Sequence, residues 1–321
     1  MHNAMTPTRR QFLRIVAGAG AGGVARAALA TRPAKAAAES APYKIGIYTR
    51  PWGQFDYRFA LDAIAAAGFH QVGLMTTTHK DPAKGHLVLS TSTTSDEARR
   101  IGQDAAARGL EVASVYGGGI PVNKSLEAGI QGLRKLIDNC VAAGAKSLLM
   151  GGTGDTRLYD RYYAAIARCC DYAANQHLPN TVKPHGGLNS TGPQCRKCLE
   201  TVNHPNFSLW YDPGNVFYYS DGKLDPVDDA KTVNGLVRVG MCIKDFQMKD
   251  KDGTPTPDVQ LTPGTGRVDF QRVLRILRAG GFRRGHLVIE CLDPGDGTPR
   301  SLLREAKKAR AFCQQTLEFL Q

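Results

Sequence analysis

Cysteine is too scarce to build this protein. Eight in 321 residues, none before Cys140, exclude a disulfide-framed scaffold and a lipid-modified cysteine near the start. Acidic residues are missing before Glu39, whereas Arg9, Arg10, Arg14, Arg26, Arg32 and Lys35 all precede residue 38. Removing those six cations from a formal charge of +12 leaves the body at +6. That excess is not gathered into a Lys/Arg-rich run, so nucleic acid is not an expected partner. No linker or composition break divides the body. Ordinary proportions of hydrophobic (42%) and charged (22%) residues exclude a wholly disordered chain and a polytopic membrane protein.

What the N-terminus does have is a pattern. Thr8-Arg9-Arg10-Gln11-Phe12-Leu13-Arg14 precedes the weakly apolar run Ile15–Ala30, and Ala34-Lys35-Ala36 has the small residues of a cleavage site. The run is too short and too rich in Gly and Ala to serve as a stable membrane anchor. Residues 1–37 resemble a twin-arginine signal peptide, which implies the twin-arginine export machinery as a partner and a periplasmic or otherwise exported destination. Residues 38–321 are expected to form one domain.

From residue 44 a single rhythm repeats. The strand-like runs are Lys44–Tyr48, Gln71–Met75, Leu110–Val115, Ser147–Met150, Thr181–His185, Phe207–Tyr211, Arg238–Ile243 and His286–Glu290. Helical spacing occupies Tyr57–Ala67, Ser95–Arg108, Leu126–Ala143, Tyr159–Gln176 and Phe270–Ala279. Gly68, Gly109, Gly144 and Gly281 each stand between a helix and the next strand, where a left-handed residue satisfies the last carbonyls. Alternation of this kind predicts the α/β class, with a parallel sheet covered by helices. About eight units over this length predict a closed (β/α)8 TIM barrel. A doubly wound sheet would want a phosphate loop, and neither Gly117-Gly118-Gly119 nor Gly151-Gly152-Thr153-Gly154 opens a helix with the required ending. Gln247–Gly266 should form a loop or hairpin over the mouth. Cys195-Arg-Lys-Cys198 has the spacing of a local disulfide, with free thiols or a metal or redox pair as alternatives.

In such a barrel, chemistry gathers at the carboxyl ends of the strands. The fifth ends Lys183-Pro184-His185, the sixth Asp212-Pro213-Gly214-Asn215, the seventh Cys242-Ile243-Lys244-Asp245 and the eighth Ile289-Glu290-Cys291. His185, Asp212 and Glu290 together offer one nitrogen and two carboxylates for a divalent metal ion such as Mn, Mg or Zn. Such a cation would polarise a carbonyl and ease removal of a neighbouring proton.

The Asp212-Pro-Gly-Asn215 turn, Lys244-Asp245, Gly264-Thr-Gly266-Arg-Val-Asp269-Phe and Ile289-Glu290 resemble the xylose isomerase-like TIM-barrel superfamily of sugar isomerases and epimerases. The resemblance covers residues 43–318 and implies that Asp212 and Glu290 are metal-binding carboxylates. Two positions depart from it. Lys183-Pro184-His185 stands where the family often has Glu-Asn-His, and Cys242 stands where its seventh-strand His would bind metal. The family's two-glutamate proton transfer therefore does not carry over whole. Lys183 becomes an acid or electrostatic clamp if its pKa is lowered, and Cys242 a soft fourth ligand.

These signs converge on an exported, metal-dependent sugar isomerase or epimerase that removes a proton beside the carbonyl of a sugar or keto-sugar. Glu290 is the expected base and metal ligand, with Lys183 and Lys244 binding or protonating substrate oxygen. A lyase or hydrolase on keto-glycosides, or a non-catalytic sugar-binding protein with a degenerate metal site, are the alternatives. His79, His86, Trp52 and Phe55 are further candidates for the mouth, the two aromatics serving equally as burial.

Overall fold

Short apolar runs separated by amphipathic helices bury both faces here by closing into a ring, and that is the architecture of the computed structural model. It describes residues 42–77 and 86–320. The leader at 1–37 with its cleavage site, and His79, lie outside the described residues. The strands are β1 (Tyr43–Tyr48), β2 (Gln71–Leu74), β3 (Glu111–Tyr116), β4 (Leu148–Met150), β5 (Asn180–Val182), β6 (Phe207–Tyr211), β7 (Val237–Ile243), β8 (Gln247–Lys251), β9 (Thr254–Asp258) and β10 (Gly285–Ile289). Eight of them close in the order β1-β10-β7-β6-β5-β4-β3-β2, while β8 and β9 form a separate antiparallel hairpin. Every barrel pairing is parallel, and Ile47 of β1 seals the ring by standing opposite both Ile289 and Val72.

The helices are α1 (Tyr57–Ala66), α2 (Ser95–Ala106), α3 (Leu126–Ala142), α4 (Tyr159–Asn175), α5 (Gly192–Val202), α6 (Pro213–Tyr219), α7 (Pro226–Thr232), α8 (Phe270–Ala279) and α9 (Pro299–Glu318). Side chains start most of them. Asp56, Thr94, Ser125 and Thr298 each accept a first-turn backbone N–H, and Thr191 with Gln194 completes a capping box at α5. The four joint glycines have φ of 86°, 71°, 70° and 104° at Gly68, Gly109, Gly144 and Gly281, the left-handed turn expected of them. Among the described residues no helix is long and apolar enough to cross a membrane.

Two cores result from the period-two geometry of the strands. Leu209, Tyr211, Met241, Ile243, Leu287 and Ile289 point outward into the layer shared with the helices. Tyr48, Met75, Leu149, Trp210, Cys242 and Val288 fill the barrel interior. The interior is thus a packed plug rather than a channel.

The structure departs from the sequence-based expectations in two local respects. The fifth strand stops at Val182 rather than reaching His185. Pro184 cannot donate to a ladder, and Gly186 and Gly187 turn the chain back with φ of 80° and 57°. Cys195 and Cys198 are not bridged; both are buried free thiols on α5. Their sulfurs lie 3.5 Å from the Asn189 carbonyl and 3.9 Å from the Leu188 carbonyl.

Candidate active site

Strand parity carries four ionisable side chains into one layer above the plug. Trp210, Cys242 and Val288 point inward, so Asp212, Lys244 and Glu290, two residues further along each chain, share that direction. Lys183 follows the outward-packed Val182 and joins them from β5. All four side chains are at most 2% exposed.

They form a closed ring of ion pairs. The Lys183 Nζ lies 3.2 Å from Asp212 Oδ2 and 2.6 Å from Glu290 Oε2. The Lys244 Nζ lies 3.1 Å from the same Asp212 oxygen and 2.6 Å from Glu290 Oε1. Each ammonium therefore bridges both carboxylates. Arg50, from the turn after β1, donates to Glu290 Oε1 at 2.7 Å and to Cys291 Sγ at 3.2 Å. The Cys242 thiol donates to Glu290 Oε2 at 3.1 Å. Three cations face two carboxylates, a formal surplus of one positive charge.

The Asp-Pro-Gly-Asn turn fixes this ring. Asp212 caps α6, its Oδ1 accepting the Asn215 N–H at 3.0 Å, with Pro213 in the first turn where no N–H is needed. A Cβ on Gly214 would stand 2.5 Å from the Lys244 carbonyl oxygen, so only glycine lets α6 approach the end of β7. Asn215 accepts from Lys244 Nζ at 2.9 Å and donates to the Pro184 carbonyl at 2.7 Å. Asn189 steadies the neighbouring loop by donating to the carbonyls of Lys183 and Gly151.

Asp245 serves a different purpose from Lys244 beside it. Its buried carboxylate accepts backbone N–H groups from Phe246, Gly264, Gly266 and Val268 at 2.8–3.0 Å. The Gly-Thr-Gly-Arg-Val segment is thereby tied down behind the site, and Asp245 is a structural anchor.

Proton affinities follow from this packing. Burial alone would push the Glu290 carboxyl up, but Lys183, Lys244 and Arg50 hold it well below its ordinary value. Burial alone would lower Lys183, yet Glu290 and Asp212 raise it well above the usual lysine range, and Lys244 is raised in the same way. Lys183 is therefore a permanent cation; the acid role that required a lowered pKa is not available to it. Burial, and then Asp212 and Glu290, raise the Cys242 thiol. Crowding in the mouth and the two ammonium groups push His185 down to about 4, so its imidazole is neutral at pH 7.

The expected metal ligands are only partly brought together. Among the described residues Asp212, Cys242 and Glu290 have ligand atoms within 4.8 Å of one another; His185 is outside that group. The donor set does not fit a divalent ion. Both Glu290 oxygens and both Asp212 oxygens already accept hydrogen bonds. The soft donor, Cys242, is itself engaged, its thiol donating to Glu290 Oε2. Two ammonium groups, moreover, already bridge the carboxylates that a cation would bridge.

Above the ring opens a cavity of about 360 Å³, within the usual size range of small-molecule sites. His185 stands in its wall between the rings of Tyr116 and Tyr219, 5.9 Å from each. Lys183 Nζ lies 5.6 Å from the centre of the Tyr116 ring. Pro257–Gln260, from the end of the hairpin onward, also line it, so the expected excursion over the mouth is a hairpin that lines the site. Arg50, Tyr116, Tyr218 and Tyr219 were not singled out from sequence. Arg50 was legible by parity, two residues beyond inward-facing Tyr48; the tyrosines carried no such signal. Trp52 is fully buried in the helix-side core, Phe55 packs at a tilt against Phe59 with ring centres 4.5 Å apart, and neither lines the cavity, nor does His86.

A family model for xylose isomerase-like TIM barrels matches residues 61–315. No curated protein matches the chain in sequence. Among solved structures, a xylose isomerase domain protein from Planctomyces limnophilus is 19% identical, with 87% of this chain and 97% of that one covered at a TM-score of 0.60. The D-allulose 3-epimerase from a Methylomonas species, in complex with D-allulose, is 18% identical over 86% and 98%, with a TM-score of 0.62. A xylose isomerase-like TIM barrel protein from Mycobacterium smegmatis, in complex with magnesium, is 13% identical over 85% and 98%, with a TM-score of 0.61. At these identities the likeness establishes the fold.

Proposed function

Because the chain belongs to the xylose isomerase-like TIM barrel family, we propose that it is a carbohydrate-transforming enzyme of the isomerase or epimerase kind. The observation that carries this reading is the cation-rich floor beneath a sugar-sized cavity, with a neutral histidine in its wall. Solved structures of similar fold include a D-psicose 3-epimerase determined in the presence of D-fructose and an L-ribulose 3-epimerase, which supports a keto-sugar as the substrate class.

Each residue has a role set by its chemistry. Tyr116, Tyr218 and Tyr219 present ring faces and edges to the cavity, suited to the apolar face of a sugar. Arg50 is the most open of the three cations, at 32% exposure, and with Lys183 it would hold the substrate carbonyl oxygen, while Lys244, its three donors taken by Asp212, Glu290 and Asn215, contributes its charge. His185 is the base. It takes the proton from the carbon beside that carbonyl, and the C–H electron pair moves through the new C=C bond onto oxygen. The resulting oxyanion sits against fixed positive charge on a buried floor, where preorganised stabilisation is strong. Delivery of that proton by the same imidazolium to the carbonyl carbon, on the same face, while the proton of the adjacent hydroxyl passes to the oxyanion, isomerises the sugar; a proton supplied by a water molecule on the opposite face epimerises the carbon instead. Glu290, with both oxygens committed to cations, orients Lys183, Lys244 and Arg50 instead of removing the proton.

The leader at residues 1–37 extends this proposal to an exported enzyme. Changing Arg9 and Arg10 together to Lys should retain the protein in the cytoplasm, as followed by cell fractionation. The activity is tested by NMR in deuterium oxide with D-fructose, D-allulose and L-ribulose. Deuterium is expected to enter at the carbon beside the carbonyl. Sugar binding without exchange or product for any of the three would overturn the reading.

A further inference from the structure

We infer that the ammonium groups of Lys183 and Lys244 substitute for a divalent cation, so that the site holds its two carboxylates and works without a bound metal. Geometry carries this inference. Each Nζ touches both Asp212 and Glu290, at 3.1–3.2 Å and 2.6 Å respectively. A metal ion bridging the same two carboxylates must approach the same oxygens. Two monocations supply together the charge of one dication, and they reach the position from different strands, β5 and β7.

The neighbours of the pair reinforce the substitution. Asn215 Oδ1 takes another proton of Lys244, and the Tyr116 ring faces Lys183. Arg50 adds a third positive charge on Glu290 Oε1. A dication placed among these groups would raise the formal surplus from one to three positive charges in a site excluded from water. There the repulsion is several-fold stronger than at the surface. Lys183 stands just past the end of β5, where it brings a counter-ion rather than a ligand to the two carboxylates. The substitution is a property of the ring itself and holds whichever sugar reaction the cavity supports.

The test reads metal directly and needs no substrate. Full-length protein, purified and dialysed against EDTA, is analysed for metal and then titrated with MnCl2 and MgCl2 while its melting temperature is followed. Wild type should hold well under one equivalent of metal, and neither EDTA nor either salt should move its melting temperature. Lys183→Glu removes one cation and adds a carboxylate beside Asp212 and Glu290. It should gain Mn2+ affinity by roughly 100-fold or more and melt higher as Mn2+ is added. Where that variant fails to fold without metal, Lys183→Gln removes the cation alone and should show the same direction. One equivalent of tightly held metal in wild type, or a melting temperature that EDTA lowers, would overturn the inference. So would a folded Lys183 variant with no gain in Mn2+ affinity. Loss of the sugar reaction alone would leave it standing.

Discussion

The barrel carries two comparable assemblies at opposite ends, each with a glutamate meeting two lysines from other segments of the ring. At the amino end Glu111 meets Lys44 at 3.0 Å and Lys146 at 3.3 Å. At the carboxyl end Glu290 meets Lys183 and Lys244, both at 2.6 Å. The first set has side chains 32–51% exposed; the second is at most 2% exposed. Each set also has a histidine nearby whose pKa lies at about 4, His286 below and His185 above. Comparable chemistry thus has different consequences. Water screens the lower set, so its pairs are each worth about 0–1 kcal/mol. The upper set has exchanged solvent for partners, and its charges depend on one another.

The sharpest way to break this contrast is to remove one lysine from each set. Lys183→Met, in metal-free buffer, should cost about 3–5 kcal/mol by taking from buried Asp212 and Glu290 an ion-pair partner that nothing replaces, whereas Lys44→Met should cost less than about 1 kcal/mol. Urea denaturation of the two variants decides the matter, and equal costs would dissolve the distinction. The histidines separate next. His185→Asn should lower turnover by about 10²–10⁴-fold, the usual contribution of a positioned base, with little change in the unfolding midpoint. His286→Asn should leave turnover intact.

Asp245→Ala comes third. Four backbone N–H groups lose their acceptor, for an expected loss of about 3 kcal/mol, and sugar affinity should weaken because Asp245 directly follows Lys244, which lines the cavity. Thermal unfolding and a binding titration test both effects. The smallest effect is that of pH. His286 is depressed from an ordinary 6.5 to about 4 by burial, with Lys44 and Lys146 adding to the shift against Glu111. The unfolded chain therefore binds the proton first as pH falls. Stability contributed by this neutral His286 is fully present above pH 6.5 and is lost as the pH falls towards 4. The His185-dependent rate should instead stay level from pH 8 to 6 and fall only as pH approaches 4. A rate that drops between pH 7 and 6 in parallel with His titration would show that the upper histidine is not held neutral.

Most strand and helix positions were legible because period-two and period-3.6 burial are written locally, and the joint glycines marked the boundaries. The fifth strand was overextended because His185 reads as a polar strand end until Pro184 and the two glycines after it are given weight. Within the site, Lys183, Asp212, Lys244 and Glu290 were legible as strand ends. His185 was legible as a mouth residue but not as one standing apart from the carboxylates. Arg50 was missed because its partner lies 240 residues away and becomes adjacent only when β1 closes against β10.

The sequence by itself determined a (β/α)8 barrel and which residues stand at its carboxyl rim, since both follow from local periodicity and chain direction. Only the tertiary structure decided what those residues do to one another. Whether two lysines flank a metal or replace it depends on distances of a few ångströms between side chains from separate strands. Coulomb energy in a site shielded from water changes steeply over that range, and no local pattern records it.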